Sequence, residues 1–342
     1  AADPIKLSLG GKMTQWAGMV SNDDAYEASA ATDSARAFDV KGDSEVYFMG
    51  STKLDNGLSV SVKVELEADR ANNASSIDNS YMRIATPSMG AIILGSVAGS
   101  GKAPDAGYGT DHSAGVDWYT TPTTTAQPLT NVNEATSTED TARIDYTSPS
   151  FGGFKIGAGY VPRLGNEGYA QSTGNSRGST NADSQAYYYK ANYDAKFSGV
   201  ALSLAGQYVN VDQNFAGSIQ DDWYEWRGQT SISFAGFTAG FDFRDRNNEV
   251  GTAAAEGRVY KVGLGYETGP YNFTLTRFHS EYQGSTTVAG DDEITNHSIA
   301  VAYNMGGGIS AIASFTDFEL EEENKAVTGK NDGHILAVGI SA

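Results

Sequence analysis

The chain has 342 residues, with 40 Gly, 8 Pro and no Cys, and its formal net charge at pH 7 is -19. The excess of acid argues against nucleic acid as a partner, and the lack of cysteine excludes a disulfide framework and thiolate metal sites. The sequence contains no run of about 20 consecutive apolar residues, which a membrane-spanning helix requires. A helical membrane protein is therefore excluded.

The first residues, Ala1-Ala2-Asp3-Pro4, are typical of a mature terminus left after cleavage of a signal peptide at small residues. The absence of cysteine also suits an oxidising, exported location, where a free thiol is a liability. Both features lead us to expect an exported protein.

The first strands in the chain are predicted by alternation of apolar and polar residues. The clearest case is residues 57–68, where apolar residues take every second position from Leu58 to Ala68 and Ser, Lys and Glu stand between them. Successive strand residues point to opposite faces, so one face is apolar and the other charged. Soluble strands usually have about 5–6 residues, whereas a tilted membrane-spanning strand needs roughly 9–11. The pattern therefore favours a strand that crosses a membrane.

The same alternation recurs to the end of the chain. It predicts strands near 4–17, 41–55, 78–86, 91–97, 139–148, 153–162, 184–197, 199–211, 221–234, 236–247, 256–268, 269–282, 293–305, 308–320 and 331–342. Between 269 and 282, Arg277 falls on the apolar parity, so we expect a β-bulge there. With residues 57–68, about sixteen strands are predicted.

The predicted connections alternate between short turns, such as 55–57, and long polar loops, of which 98–138 is the longest. Short turns on one side and long loops on the other are typical of outer-membrane barrels. We therefore predict an all-β fold, a sixteen-stranded antiparallel transmembrane β-barrel formed by one domain over residues 1–342. A barrel of this size leaves an aqueous channel inside.

Aromatic residues near the predicted strand ends are expected to form girdles at the two membrane interfaces, as in other membrane barrels. They are Trp16, Trp118, Tyr146, Tyr160, Trp223, Tyr224, Trp226, Tyr266 and Tyr271.

Two stretches resemble a known family. Residues 139–162 contain an Arg-Ile-Asp-Tyr strand, Ser-Pro, Phe-Gly-Gly-Phe and Gly-Ala-Gly-Tyr, and residues 79–97 contain Ser-Tyr-Met-Arg and Gly-Ala-Ile-Ile-Leu-Gly. Both are similar to segments of the general diffusion porins of Gram-negative bacteria. The resemblance implies a homotrimer in the cell outer membrane, in contact with lipid and lipopolysaccharide, whose channel passes small hydrophilic solutes and ions by passive diffusion.

The family also implies that the third long loop folds into the barrel and narrows it, with loop acids facing bases on the opposite wall. Here this constriction loop is 98–138. Lys12, Arg83 and Arg143 lie on strands where the family often carries such bases, and Lys63 is added by parity alone. The predicted constriction residues are Lys12, Lys63, Arg83, Arg143, Asp105, Asp111 and Asp117.

Three alternatives remain open on the sequence. A substrate-specific channel, for example for sugars, could use some of the 19 Tyr residues as a stacking track. A soluble secreted β protein or adhesin is the second. An outer-membrane hydrolase is the third, but His112, His279, His297 and His334 stand in no recognisable catalytic motif, and no Gly-x-Ser-x-Gly elbow is present. We therefore predict no catalytic residues and no enzyme.

The acidic run 319–323 is expected to be a solvated loop edge, since its acids lack EF-hand spacing. The alternative is a bound calcium, or a divalent cation that bridges this run to lipopolysaccharide. We expect no cofactor and no other metal site.

Overall fold

A computed structural model of the protein describes residues 4–24, 37–68, 77–97, 141–162, 183–215, 218–219, 222–248, 256–283, 290–323 and 329–342. The expected loop at 98–138, with Asp105, Asp111 and Asp117, lies outside the described residues. Across the described ranges, no helix is long and apolar enough to span a membrane.

The described chain is built from sixteen long β-strands and one two-residue strand, β10. The strands are β1 (Lys6–Ser21), β2 (Phe38–Lys53), β3 (Ser59–Glu67), β4 (Ile77–Thr86), β5 (Gly90–Ser96), β6 (Ala142–Thr147), β7 (Phe154–Val161), β8 (Asp183–Phe197), β9 (Val200–Phe215), β10 (Ser218–Ile219), β11 (Trp223–Phe234), β12 (Phe237–Asn248), β13 (Gly257–Thr268), β14 (Tyr271–Tyr282), β15 (Asp292–Gly306), β16 (Ile309–Glu321) and β17 (Lys330–Ser341).

The sheet closes on itself. Each long strand pairs antiparallel with its neighbours along the chain, β10 pairs only with the end of β9, and β17 pairs with β1 from Thr14↔Ser341 to Ser21↔His334. Met13 and Ala342 exchange two backbone hydrogen bonds of 2.9 Å that extend this seam. The predicted sixteen-stranded antiparallel barrel is confirmed.

The turn between β2 and β3 illustrates the short connections. The amide of Leu54 donates to the carbonyl of Leu58 at 2.7 Å, and Gly57 has φ of 87°. This left-handed conformation strongly favours glycine, which explains why the predicted Asp55-Asn56-Gly57 turn closes the hairpin so tightly.

The two faces of the sheet differ as the alternation predicts. Large apolar side chains are exposed on the outer face, with Leu7 at 72% and Leu9 at 74% of their full accessibility. Polar side chains such as Arg143, Gln207 and Thr274 alternate with them and point inward. An apolar exterior that runs around the whole ring suits lipid, and it contradicts the alternative of a soluble β protein.

The β-bulge expected near Arg277 is wrong. β14 keeps unbroken register with β13, from Thr268↔Tyr271 to Gly257↔Tyr282, and with β15 over its whole length. Arg277 simply points outward, with its guanidinium 5.9 Å from the Tyr260 ring centroid. A one-residue shift would have turned the apolar residues of half the strand inward, a larger cost than one outward arginine beside an aromatic ring.

The girdle prediction is wrong for two tryptophans. Trp16 pairs with Gly339 on the inner face and packs against a buried apolar cluster, and Trp223 is buried on the inner face of β11. Tyr146 and Trp226 are exposed on the outer face, while Trp118 lies outside the described residues. Strand-end position alone cannot separate the faces, because parity decides the direction.

Candidate channel lumen

The structure places all four predicted bases on the inner face. Lys12 stands opposite Glu45 in the β1–β2 ladder, Lys63 opposite Tyr81 in β3–β4, and Arg143 opposite Gly95 in β5–β6. Arg83 is likewise on the inner face of β4, opposite Ser61. Their orientation follows from the two-residue period of the strand, which gives each position a fixed side.

Lys12 is held by two carboxylates of the neighbouring strand. Its Nζ lies 3.0 Å from Asp43 Oδ2 and 2.8 Å from Glu45 Oε1. The side chains of Lys12 and Asp43 are 44% and 50% exposed, whereas Glu45 is largely covered. Lys12 is therefore an ion-paired group that still borders water.

Lys63 belongs to the same group of side chains. Its Nζ forms an ion pair with Glu65 and lies 4.1 Å from the Tyr47 ring centroid, and the Tyr47 hydroxyl donates to Glu45. We call Lys12, Asp43, Glu45, Tyr47, Lys63 and Glu65 the β1–β3 charged cluster. It connects two of the predicted bases through acids and a tyrosine that the sequence prediction did not include.

Arg83 and Arg143 have surroundings that differ from those of Lys12 and Lys63. Arg83 is exposed and lines a cavity beside the hairpin turns, together with Lys155 and the Ser148 region. Arg143 is buried, and its Nε and Nη2 donate to the carbonyl and hydroxyl oxygens of Thr141 at 3.2 and 3.3 Å. The four predicted bases therefore differ in how far water reaches them, from the exposed Arg83 to the buried Arg143.

A second charged group on β11 and β12 is missing from the sequence prediction. Glu225 forms ion pairs with Arg227, with Arg244 at 2.8 Å and with Arg246 at 3.2 Å. The Arg246 guanidinium also stacks 4.3 Å from the Trp223 ring centroid. We call Glu225, Arg227, Arg244 and Arg246 the arginine cluster. Parity already places Arg227 and Arg244 inward, but only the register, with Glu225 opposite Arg246 and Arg227 opposite Arg244, brings them together.

Apolar residues are also buried on the inner face, on both sides of the arginine cluster. They form one group on β13–β17 and another on β7–β11. The first contains Val259, Phe278, Ile294, Phe318, Leu320, Ile335 and Ala337, and the second Val161, Ala186, Tyr188, Val209, Val211 and Trp223. This part of the wall is covered, unlike the wall near Lys12.

Among the described residues, no group of three or more His, Asp or Glu side chains is placed to hold a metal ion. His279 Nδ1 lies 2.8 Å from Thr295 Oγ1, and its Nε2 lies 3.1 Å from Glu281 Oε1. A hydroxyl, an imidazole and a carboxylate in this sequence resemble the catalytic triad of a hydrolase. However, Thr295 is mid-strand and pairs on both sides, with His279 and with Glu319. Its backbone amide is committed to the sheet, so it cannot serve as an oxyanion donor.

A closed sixteen-stranded ring with an apolar exterior and a charged interior defines an outer-membrane channel. The family model for Gram-negative porins matches residues 1–323, and the chain belongs to this family. It is accordingly a protein of the cell outer membrane, crossing it many times as β-strands.

Solved structures with the same fold include a loop L8 deletion mutant of OmpT, an outer membrane protein of Vibrio cholerae, with a TM-score of 0.65 and 12% identity, covering 99% of each chain. The anion-selective porin from Comamonas acidovorans has a TM-score of 0.63 and 15% identity, again over 99% of each chain. A porin refined at 1.8 Å has a TM-score of 0.61 and 15% identity, over 98% of this chain and 100% of its own. No curated protein sequence matches.

Proposed function

We propose that this channel is a general diffusion porin, which lets small hydrophilic solutes and ions cross the outer membrane passively. The closed ring with exposed charged groups on its inner wall carries this proposal. Barrels of 16–18 strands leave a lumen too wide for wall side chains to fill, so water and solutes have a path.

The lumen is narrowed, in this proposal, by the constriction loop 98–138. Its acids Asp105, Asp111 and Asp117 would stand across the passage from bases on the wall, so that the field between them orients dipolar solutes and disfavours apolar ones. Lys12, Lys63 and Arg83 are inward and at least partly exposed, which suits this role. Arg143 is buried against Thr141, so it would act mainly by holding the wall.

We further propose that the protein is a homotrimer surrounded by outer-membrane lipid and lipopolysaccharide. One structural neighbour, OmpT of Vibrio cholerae, is described in a trimer form. In planar bilayers, a trimer inserting as a unit should give conductance increments in groups of three. Single, independent increments would contradict the trimer.

No cofactor or nucleic acid partner is part of this proposal. The acidic run 319–323 is not proposed as a calcium site: its first three residues belong to β16, Glu322 is buried, and no group of acids among the described residues is placed to hold a metal ion. We also propose that the protein is not an enzyme, because Thr295, whose hydroxyl contacts His279, lies mid-strand with its backbone paired on both sides.

A substrate-specific sugar channel is the second candidate. It needs accessible aromatic rings on the inner face, but Tyr187 and Tyr189 are exposed on the outer face, and the inward Tyr188 and Trp223 are buried. The inward Tyr47 is held by Glu45 and Lys63. Liposome swelling distinguishes the two functions. For general diffusion, rates should fall smoothly with solute size for sugars and amino acids alike, whereas saturable uptake of one solute class would contradict it.

A further inference from the structure

Water reaches the charges of the inner wall very unevenly. The side chains of Arg227, Arg244 and Arg246 are at most 9% exposed. Those of Lys12 and Asp43 are 44% and 50% exposed. A permeating ion therefore meets the β1–β3 charged cluster directly, while the largest basic group of the described lumen is covered.

The β1–β3 charged cluster contains more acid than base. Its three carboxylates, on Asp43, Glu45 and Glu65, outnumber its two ammonium groups. Both lysines are in contact with acids, at 3.0 and 2.8 Å for Lys12, and Lys63 is paired with Glu65. With all five groups ionised, the cluster carries one more negative than positive charge, and close ion pairs weaken each other's field at the distance of a passing solute.

The cluster also lies at the level where the membrane is crossed. Lys63 and Glu65 lie four and six residues beyond Ser59, where β3 begins at the hairpin turn. With a rise of about 3.4 Å per residue and a tilt of about 40°, these positions are roughly 10 and 16 Å above the turn. The apolar band of such barrels is about 25 Å tall, so both side chains are near mid-height. Arg83, three residues before the end of β4, is nearer the turns.

From these observations we propose that the β1–β3 charged cluster makes this channel prefer cations, with Asp43, Glu45 and Glu65 as the residues that determine its selectivity. This inference rests on the proposed channel function and adds its ion preference. Lys12 and Lys63 attract anions less than free lysines would, because each forms an ion pair with a carboxylate. Tyr47 is a positioning residue, since its hydroxyl holds Glu45 and its ring holds Lys63.

The test is the zero-current potential across a planar bilayer with a potassium chloride gradient, which gives the permeability ratio of potassium to chloride. The wild type should give a ratio above one. The triple variant Asp43→Asn, Glu45→Gln, Glu65→Gln should lower it to one or below. Lys12→Gln should instead raise it, by up to about 30-fold, because one unit charge about 4 Å from the ion path in a water-like dielectric shifts potassium and chloride by about 1 kcal/mol each in opposite directions.

Lys6→Gln is the matched control. It removes the same charge from the same face of β1, six residues or roughly 20 Å further along the strand, and should change the ratio far less than Lys12→Gln. If the triple variant does not fold, Asp43→Asn alone should lower the ratio in the same direction, since that carboxylate is half exposed.

Two results would overturn the inference. One is a conducting wild type with a ratio of one or below, and the other is a ratio that the acid variants leave unchanged. Both leave the proposed channel function standing. A folded wild type that gives neither conductance nor liposome swelling would overturn the channel function and the inference together.

Discussion

At the scale of single residues, Glu225 is a carboxylate of the inner wall that is surrounded by buried positive charge. Its fully buried carboxylate lies between the guanidinium groups of Arg227, Arg244 and Arg246. Three like charges so close together repel one another, and in a covered site this repulsion is weakly screened. The negative charge of Glu225, in contact with all three arginines, therefore helps to hold the arginine cluster together.

Glu225→Gln should destabilise the barrel by about 3–5 kcal/mol, because it removes the buried carboxylate with which three buried arginines form ion pairs. The free energy of unfolding can be measured by urea titration in lipid vesicles, followed by tryptophan fluorescence. Glu319→Gln is the control. Glu319 pairs with Lys330 at 3.1 Å, but both side chains are about half exposed, so its loss should cost no more than about 1 kcal/mol. Equal costs for the two variants would contradict this role of Glu225.

For single residues, the sequence predicts the direction of a side chain but not its partners. Parity correctly points Lys12 and Lys63 inward, because the side of a strand residue depends only on its position. It cannot show that Lys12 is held by Asp43 and Glu45, since these residues are on the next strand and the pairing depends on register. The arginine cluster is not predicted from the sequence for the same reason, because it joins residues of β11 and β12 through their register.

At the scale of elements, β3 carries the alternation of residues 57–68 without a break on the side of β2. Val62 stands opposite Gly50 on the outer face, and Ser61 opposite Ser51 on the inner face. The two neighbouring positions therefore face apolar and aqueous surroundings, which makes them a matched pair for a test of orientation.

Val62→Arg should lower the free energy of unfolding by roughly 2–4 kcal/mol, the cost of an arginine on the lipid face near mid-membrane. Ser61→Arg should change it far less, because its guanidinium reaches the lumen. Urea titration in lipid vesicles measures both. Should Ser61→Arg prove the more costly of the two, the assignment of faces on β3 would be wrong.

Single strands also show where the alternation of apolar and polar residues leads to a wrong prediction. The outward Arg277 suggested a bulge, yet β14 keeps its register with both neighbours. One residue that breaks the alternation is cheaper to tolerate than a shift that inverts every residue beyond it. The girdle prediction is wrong for Trp16 and Trp223 for a different reason: a place near a strand end does not fix the face on which a side chain lies, and both point inward.

At the scale of the whole molecule, closure of the ring is the property on which the rest depends. An open barrel would expose unpaired backbone groups of two edge strands to lipid, where water cannot satisfy them. Here β17 meets β1 over eight residue pairs, from Thr14↔Ser341 to Ser21↔His334, and both edges disappear.

Deletion of residues 330–342, which removes β17, should abolish the folded barrel. Gel mobility before and after heating reports folding of membrane barrels, and planar bilayers report conductance. An equally long deletion inside the loop, 110–122, should leave both the heat-dependent mobility and the channel in place, because no described strand lies there. Normal folding of the β17 deletion would show that closure through β1 is dispensable.

The sequence by itself determined the number of strands, their faces, the sorting of short turns and long loops, and with them the class of protein. These properties follow from a local two-residue period that any stretch of chain displays on its own. Only the tertiary structure decided which charges meet, which of them are covered and which border water. Those properties join residues on different strands, such as Lys12 with Glu45 and Glu225 with Arg246, and they depend on the register that the closed ring imposes.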